Sequence, residues 1–230
     1  MPFRWKTLLT LLLPLVVLGG LFWLERSGRE PTVPVEQWQR ADFSTMPLGD
    51  LPAAWATPRG TIQVVEKDDR RMLSVQPEPM VEGRVLVPGV LPGGGTIRAR
   101  MSGESAKRAA PRFAVGLANE QEFFLRYLPG EQRLELITPT SVQVNGKTVP
   151  EDRLLAQTPL ERFPQPWLWL ELHVTEAGNC EARCWPDGSE RPAQPQLVHP
   201  TQRPAGLLRA SLAISPFALK PVWVDRVEWR

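Results

Sequence analysis

From about residue 41 onward the chain predicts an all-β fold, an antiparallel β-sandwich, preceded by one N-terminal transmembrane helix. Three observations carry this. Short runs alternate apolar and polar residues with period two, as strands with one buried face do. Turn signals recur roughly every ten residues, the spacing of sandwiches and barrels and not of βαβ units. Residues 8–24 form an uncharged apolar run, LLTLLLPLVVLGGLFWL, of membrane-spanning character.

That run, at about 1.5 Å per helical residue, spans roughly 25 Å, near the lower limit for a bilayer core. Trp5 and Trp23 stand at its ends, where amphipathic rings settle at the interface. Pro14, Gly19 and Gly20 lie within it. Membrane helices tolerate these residues, and small ones favour close helix packing, although they serve a lipid-facing helix equally well. Arg4 and Lys6 precede the run, whereas Glu25, Arg26, Arg29 and Glu30 cancel beyond it. The positive-inside rule then leaves the N-terminus in the cytoplasm. Residues 1–25 read as the anchor in the lipid bilayer. The remainder falls on the periplasmic or extracellular side of a bacterial-type inner (plasma) membrane. A cleaved signal peptide is the competing reading. It lacks a clean A-x-A site and would strand Leu21, Phe22, Trp23 and Leu24 on a soluble terminus. No cysteine follows the run, so a lipoprotein anchor is excluded.

Residues 26–40 are polar and proline-bearing, a tether; the sandwich domain occupies 41–230. The 25 prolines and 17 glycines favour short elements joined by turns. Strands are expected over 61–65, 71–75, 83–87, 96–102, 113–118, 122–128, 133–138, 167–174, 180–185, 207–214 and 222–229. A hairpin is expected about Asn145-Gly146. Residues 151–165 have room for one short helical turn. Trp223 and Trp229, six apart, are assigned to one side of their strand.

The pair Asp42-Phe43, then Leu51-Pro52 with Trp55, the run PWLWLELHVTEAGNCEARCWPDG at 166–188 and the ending VDRVEW at 224–229 resemble the concanavalin A-like lectin/glucanase superfamily in its laminin-G-like form. The resemblance covers about 41–230 and implies an antiparallel jelly roll. It extends to bacterial keto-disaccharide hydrolase domains, without an active-site run to carry over. It says little about function, because one fold hosts many.

Chemistry is sparse. A net charge of +2 is too balanced for a nucleic-acid surface. With 2 histidines and 2 cysteines there is little for a metal site or a triad, and no cofactor is expected. Glycosidases of this fold set carboxylates on one strand face in a Glu-x-Asp-x-x-Glu pattern. No such triplet occurs; Glu131/Glu135 and Glu171/Glu176 lack a third partner. His199 reads as a loop residue. Asp187-Gly188 fits a turn, with a Ca2+ ligand as the alternative the resemblance raises. Cys180 and Cys184, four apart on a strand, would have Cα atoms about 13 Å apart, beyond reach of a disulfide. Both should lie beside Ala182 in the core as free thiols; a turn there would restore the bridge.

Leu168, Leu170, Leu172 and Val174 should face the core, leaving Trp167, Trp169, Glu171 and His173 on the outer face. Such a row suits stacking on a sugar ring, a protein hot spot, or packing under a covering segment. Arg98, Arg100 and Arg126 are expected on a neighbouring outer face. The expectation is a non-catalytic, membrane-anchored interaction subunit of a larger membrane complex. The alternative is a glycan-binding, lectin-like module at the cell envelope.

Overall fold

The structure is a computed structural model. It describes residues 38–77, 82–91, 94–105, 109–119, 121–144, 147–201, 207–216 and 220–230. The anchor over 8–24, with Pro14, Gly19, Gly20 and Trp23, lies outside them, as do most of the tether and the Asn145-Gly146 turn. Among the described residues no helix is long and apolar enough to cross a membrane.

The strands, in chain order, are β1 (Gln39–Arg40), β2 (Gly49–Asp50), β3 (Ala56–Arg59), β4 (Ile62–Lys67), β5 (Arg70–Val75), β6 (Gly83–Leu86), β7 (Gly95–Gly103) and β8 (Arg112–Ala118). Then follow β9 (Glu122–Leu128), β10 (Arg133–Val144), β11 (Lys147–Pro159), β12 (Trp167–Val174), β13 (Asn179–Pro186), β14 (Leu197–Pro200), β15 (Arg209–Ser215) and β16 (Val222–Trp229). One 3-10 turn, Phe43–Thr45, is capped by the Asp42 carboxylate, which accepts from the Ser44 backbone N–H at 3.0 Å.

They form two antiparallel sheets stacked as an all-β sandwich, consistent with a jelly roll. The nine-stranded sheet runs β14-β13-β12-β7-β16-β5-β4-β2, with β1 also against β16. The seven-stranded sheet runs β11-β10-β9-β8-β15-β6-β3. Period-two alternation decides which side chains lie between them. In β7, Ile97, Ala99 and Met101 are fully buried while Arg98 and Arg100 point out. In β12, Leu168, Leu170, Leu172 and Val174 face inward. Cys180, Ala182 and Cys184 join the same core as free thiols and a methyl. The tight β4–β5 turn uses Asp68 and Asp69 at φ 52° and 57°, the paired left-handed residues that match strand twist in a two-residue hairpin.

Four expectations change. Residues 151–165 hold no helical turn: β11 continues through Pro159, pairing with β10 from Val144↔Lys147 to Arg133↔Pro159, and this long ladder outweighs local propensity. Trp223 and Trp229 lie on opposite sides. A bulge between Val224 and Arg226 inserts Asp225 and reverses the alternation. Trp229 therefore packs edge-on against Trp55 in the core at 6.3 Å, whereas Trp223 lies under the Lys67 ammonium outside. Arg126 belongs to the seven-stranded sheet, apart from Arg98 and Arg100. The short strands β1, β2, β3 and β14 were not expected; β1, β2 and β14 sit beside longer strands that give them their partners, and β3 pairs with the equally short β6.

Candidate functional site

The row Trp167, Trp169, Glu171 and His173 does emerge on the outer face of the nine-stranded sheet, woven into a ladder of charge and aromatic contacts. Trp169 is only 9% exposed and stacks on Trp185 at 5.9 Å and 7°. Its indole N–H donates to Asp187 at 3.0 Å. The guanidiniums of Arg98 and Arg226 lie over its ring, and Arg100 lies over Trp167. Glu171 is wholly buried, bound by Arg183 at 3.3 Å and by Arg191, whose Nε donates at 2.8 Å. The imidazole of His173 meets the Thr96 hydroxyl at 2.9 Å and the Gly95 carbonyl at 3.2 Å. Asp187 is taken up by Trp169 and by Arg100, 2.8 Å away. Most polar atoms of this row already have partners within the chain, leaving few for a ligand.

The other sheet presents a cleft. On β8, β9, β10 and β15 the residues between the core-facing positions are Ala114, Phe124, Ile137 and Ala213, which pack together as a small separate apolar cluster. Gly116 lies beneath the Phe124 ring: a Cβ there would come within 2.4 Å of it. The missing side chain lets the ring lie down on the sheet. Beyond the bulge between Leu136 and Ile137, the β10–β11 hairpin supplies one wall through Pro139, Pro150 and Asp152. Pro58 and Arg59 on β3, with Glu82 and Arg84 at β6, supply the other. The enclosed volume is about 320 Å³.

Charge converges on this apolar floor. Arg126 is held by Glu135 at 2.9 Å and by Asp152 at 2.7 Å. Burial works to lower its pKa, but the hydrogen bonds to Glu135 and Asp152 prevail and raise it. Glu135 also pairs with Arg133 at 2.7 Å. Arg84 pairs with Glu122 and lies over the Phe124 ring at 5.2 Å. Its Nε is buried and, among the described residues, has no hydrogen-bond partner; the same holds for the Ser211 hydroxyl. Burial lowers the Arg84 pKa, Glu82 opposes this, and Arg59 lowers it further. The Glu82 carboxyl is raised, by burial first and the Asp152 charge second, against Arg126, Arg84 and a hydroxyl hydrogen bond from Ser215.

An apolar floor with a few converging polar groups is the make-up of a small-molecule site. A larger groove of about 560 Å³ opens near β1 and β5, between Arg40, Asp42, Glu66, Asp69, Arg70 and Asp225. Its walls are mostly charged groups of both signs, and it lacks a comparable apolar floor. Among the described residues no group of His, Cys, Asp and Glu is arranged to hold a metal ion.

The sequence reading missed the cleft because its parts come from β3, β6, β8, β9, β10, β11 and β15, each contributing one or two residues. One signal was present: Phe124 and Arg126 stand on the polar side of the Glu122–Leu128 alternation, where a bare phenylalanine is out of place.

No family model matches the chain, and no curated protein matches it by sequence. Solved structures do resemble it in fold. Beta-agarase A from Zobellia galactanivorans superposes with a TM-score of 0.55 at 11% identity, covering 84% of this chain and 92% of that one. The Bacteroides ovatus mixed linkage glucan GH16, in complex with its product, gives 0.54 at 9% identity over 84% and 99%. The exoplasmic/lumenal domain of VIP36 in a Ca2+- and Man3GlcNAc-bound form gives 0.53 at 8% identity over 77% and 83%. The structural neighbours are thus concanavalin A-like jelly-roll folds, lectins and glycosyl hydrolases among them. At these identities the likeness is one of fold.

Proposed function

We propose that the protein is a glycan-binding, lectin-like module whose ligand lies in the cleft of the seven-stranded sheet. The observation that carries this is the juxtaposition of the Ala114–Phe124–Ile137–Ala213 floor with Arg59, Arg84 and Asp152. A sugar ring has apolar C–H faces and a polar rim. The floor covers the first, and charge-assisted hydrogen bonds meet the second. The structural neighbours, a VIP36 domain in a Man3GlcNAc-bound form, a mixed linkage glucan GH16 with its product and a beta-agarase, support a saccharide as ligand.

Binding fits this cleft better than hydrolysis. Glu122, Glu135 and Asp152 are each ion-paired to an arginine, so their oxygens are engaged within the chain and are not set as a free pair about a scissile bond. Glu82 is the cleft carboxyl with a raised pKa, and the test includes it. The full chain, passed over immobilised polysaccharides, is expected to be retained by at least one of them. Asp152→Ala, at an exposed wall position, should weaken retention, and Trp169→Phe should leave it unchanged. No reducing ends should be released. Retention lost with Trp169→Phe and kept with Asp152→Ala would move the site to the other sheet. Release abolished by Glu82→Gln would make the protein a hydrolase. The anchor over 8–24, the periplasmic placement and an accessory role in a membrane complex are proposals of the sequence alone. Native sizing after mild extraction tests the last of these.

A further inference from the structure

We infer that the saccharide bound in this cleft is anionic, with its carboxylate or sulfate ester seated between Arg59 and Arg84. This rests on the saccharide reading above and narrows it to a ligand class. The two walls of the cleft are not equivalent. On the hairpin wall, Arg126 is saturated by Glu135 and Asp152, so its charge is spent inside the protein. On the opposite wall, Arg84 gives one terminal nitrogen to Glu122, and its Nε is buried with no acceptor among the described residues. Arg59 stands on the same wall, exposed, with no ion pair or hydrogen bond among the described residues.

Arg59 and Arg84 line one small space and repel each other; the Glu82 carboxyl on the same wall offsets part of this, and each guanidinium retains unused donors. An oxyanion placed between them relieves the repulsion and accepts from both forks, in the planar geometry that suits carboxylate and sulfate alike. The remaining wall chemistry is consistent with the rest of such a sugar. Phe124 and Ile137 cover a ring face, and the Asp152 carboxylate accepts from hydroxyls. The orientation follows: acidic group toward β3 and β6, hydroxyls toward β11.

Two matched pairs of probes test this with the full chain: polygalacturonate against its carboxyl-reduced form, and dextran sulfate against dextran. Affinity electrophoresis should show retardation by the charged member of at least one pair and little by its neutral partner. The pair that responds identifies the anion. Arg59→Gln, at an exposed strand position, should weaken the response about tenfold, the value of one charge-assisted hydrogen bond. Arg84→Gln should weaken it at least as much, and its thermal melt shows whether the variant is folded. Arg209→Gln, exposed on β15 and outside the cleft lining, should change nothing. Equal retardation by charged and neutral polymers would overturn the anionic ligand and leave glycan binding standing. Retardation by charged polymers that ignores Arg59→Gln would mean a diffuse charge effect and overturn the proposed seat. No retardation by any probe, neutral or charged, would overturn both this inference and the glycan-binding function.

Discussion

Cys180 and Cys184 stand on the inner side of β13 with Ala182 between them, and both side chains are free and buried. Burial pushes the Cys180 thiol up to about 12, and that of Cys184 well above its ordinary value. Only the thiolate reacts with disulfide reagents. Native protein at mildly alkaline pH should therefore leave both thiols unmodified, and both should react once denaturant opens the sandwich. A single slow disulfide, or loss of thermal stability on adding reductant, would contradict this. Gly116 makes a second test at the same scale. Its absent side chain gives Phe124 room to lie on the sheet. Gly116→Ala should cost about 1–3 kcal/mol through overpacking, seen as a lowered denaturation midpoint. It should also weaken saccharide retention, because the ring forms the floor.

At the scale of elements, β12 and β13 are joined by more than their ladder. Glu171 is wholly buried on β12, Arg183 reaches it from β13, and Arg191 reaches it from the segment after β13. Removing one partner of a buried ion pair strands the other, at a cost of about 3–5 kcal/mol. Glu171→Ala should lower the melting temperature far more than Glu176→Ala on the neighbouring turn. Equal effects would show that the cluster contributes nothing.

The same strand shows what the sequence makes legible. Alternation assigned every residue of β12 to its correct side, and likewise Cys180, Ala182 and Cys184, because a strand without bulges keeps its parity over its whole length. In β16 the same rule failed, since the extra residue at Asp225 leaves no mark in the hydrophobic pattern. The β10–β11 hairpin escaped in part for a related reason. Residues 139–143 and 147–153 are exposed on both faces, so no buried face marks the length of these strands, and their strand state comes from pairing with each other. The cleft was hidden more deeply. Its walls depend on which strands become neighbours, and alternation fixes the side a residue faces, not its neighbours across the sheet.

For the whole molecule, the cleft leaves a trace in stability against pH. Glu82 has a folded pKa above its ordinary 4.5, so the folded state binds this proton more tightly than the unfolded chain does. The stability it contributes is complete below about 4.5 and is lost as pH rises through the folded value. Glu82→Gln should therefore flatten the fall in melting temperature above that pH and melt higher than the parent at neutral pH. An unchanged profile would mean that Glu82 is solvated like a surface carboxylate.

The most direct measurement of the central claim is hydrogen exchange on the full chain, with and without a retained polysaccharide. The account predicts slowed exchange in β9 and in the β10–β11 hairpin, whose Pro139, Pro150 and Asp152 wall the cleft, with the 167–174 strand unchanged. Protection confined to 167–174 and its Trp row, or none in either sheet, would contradict it.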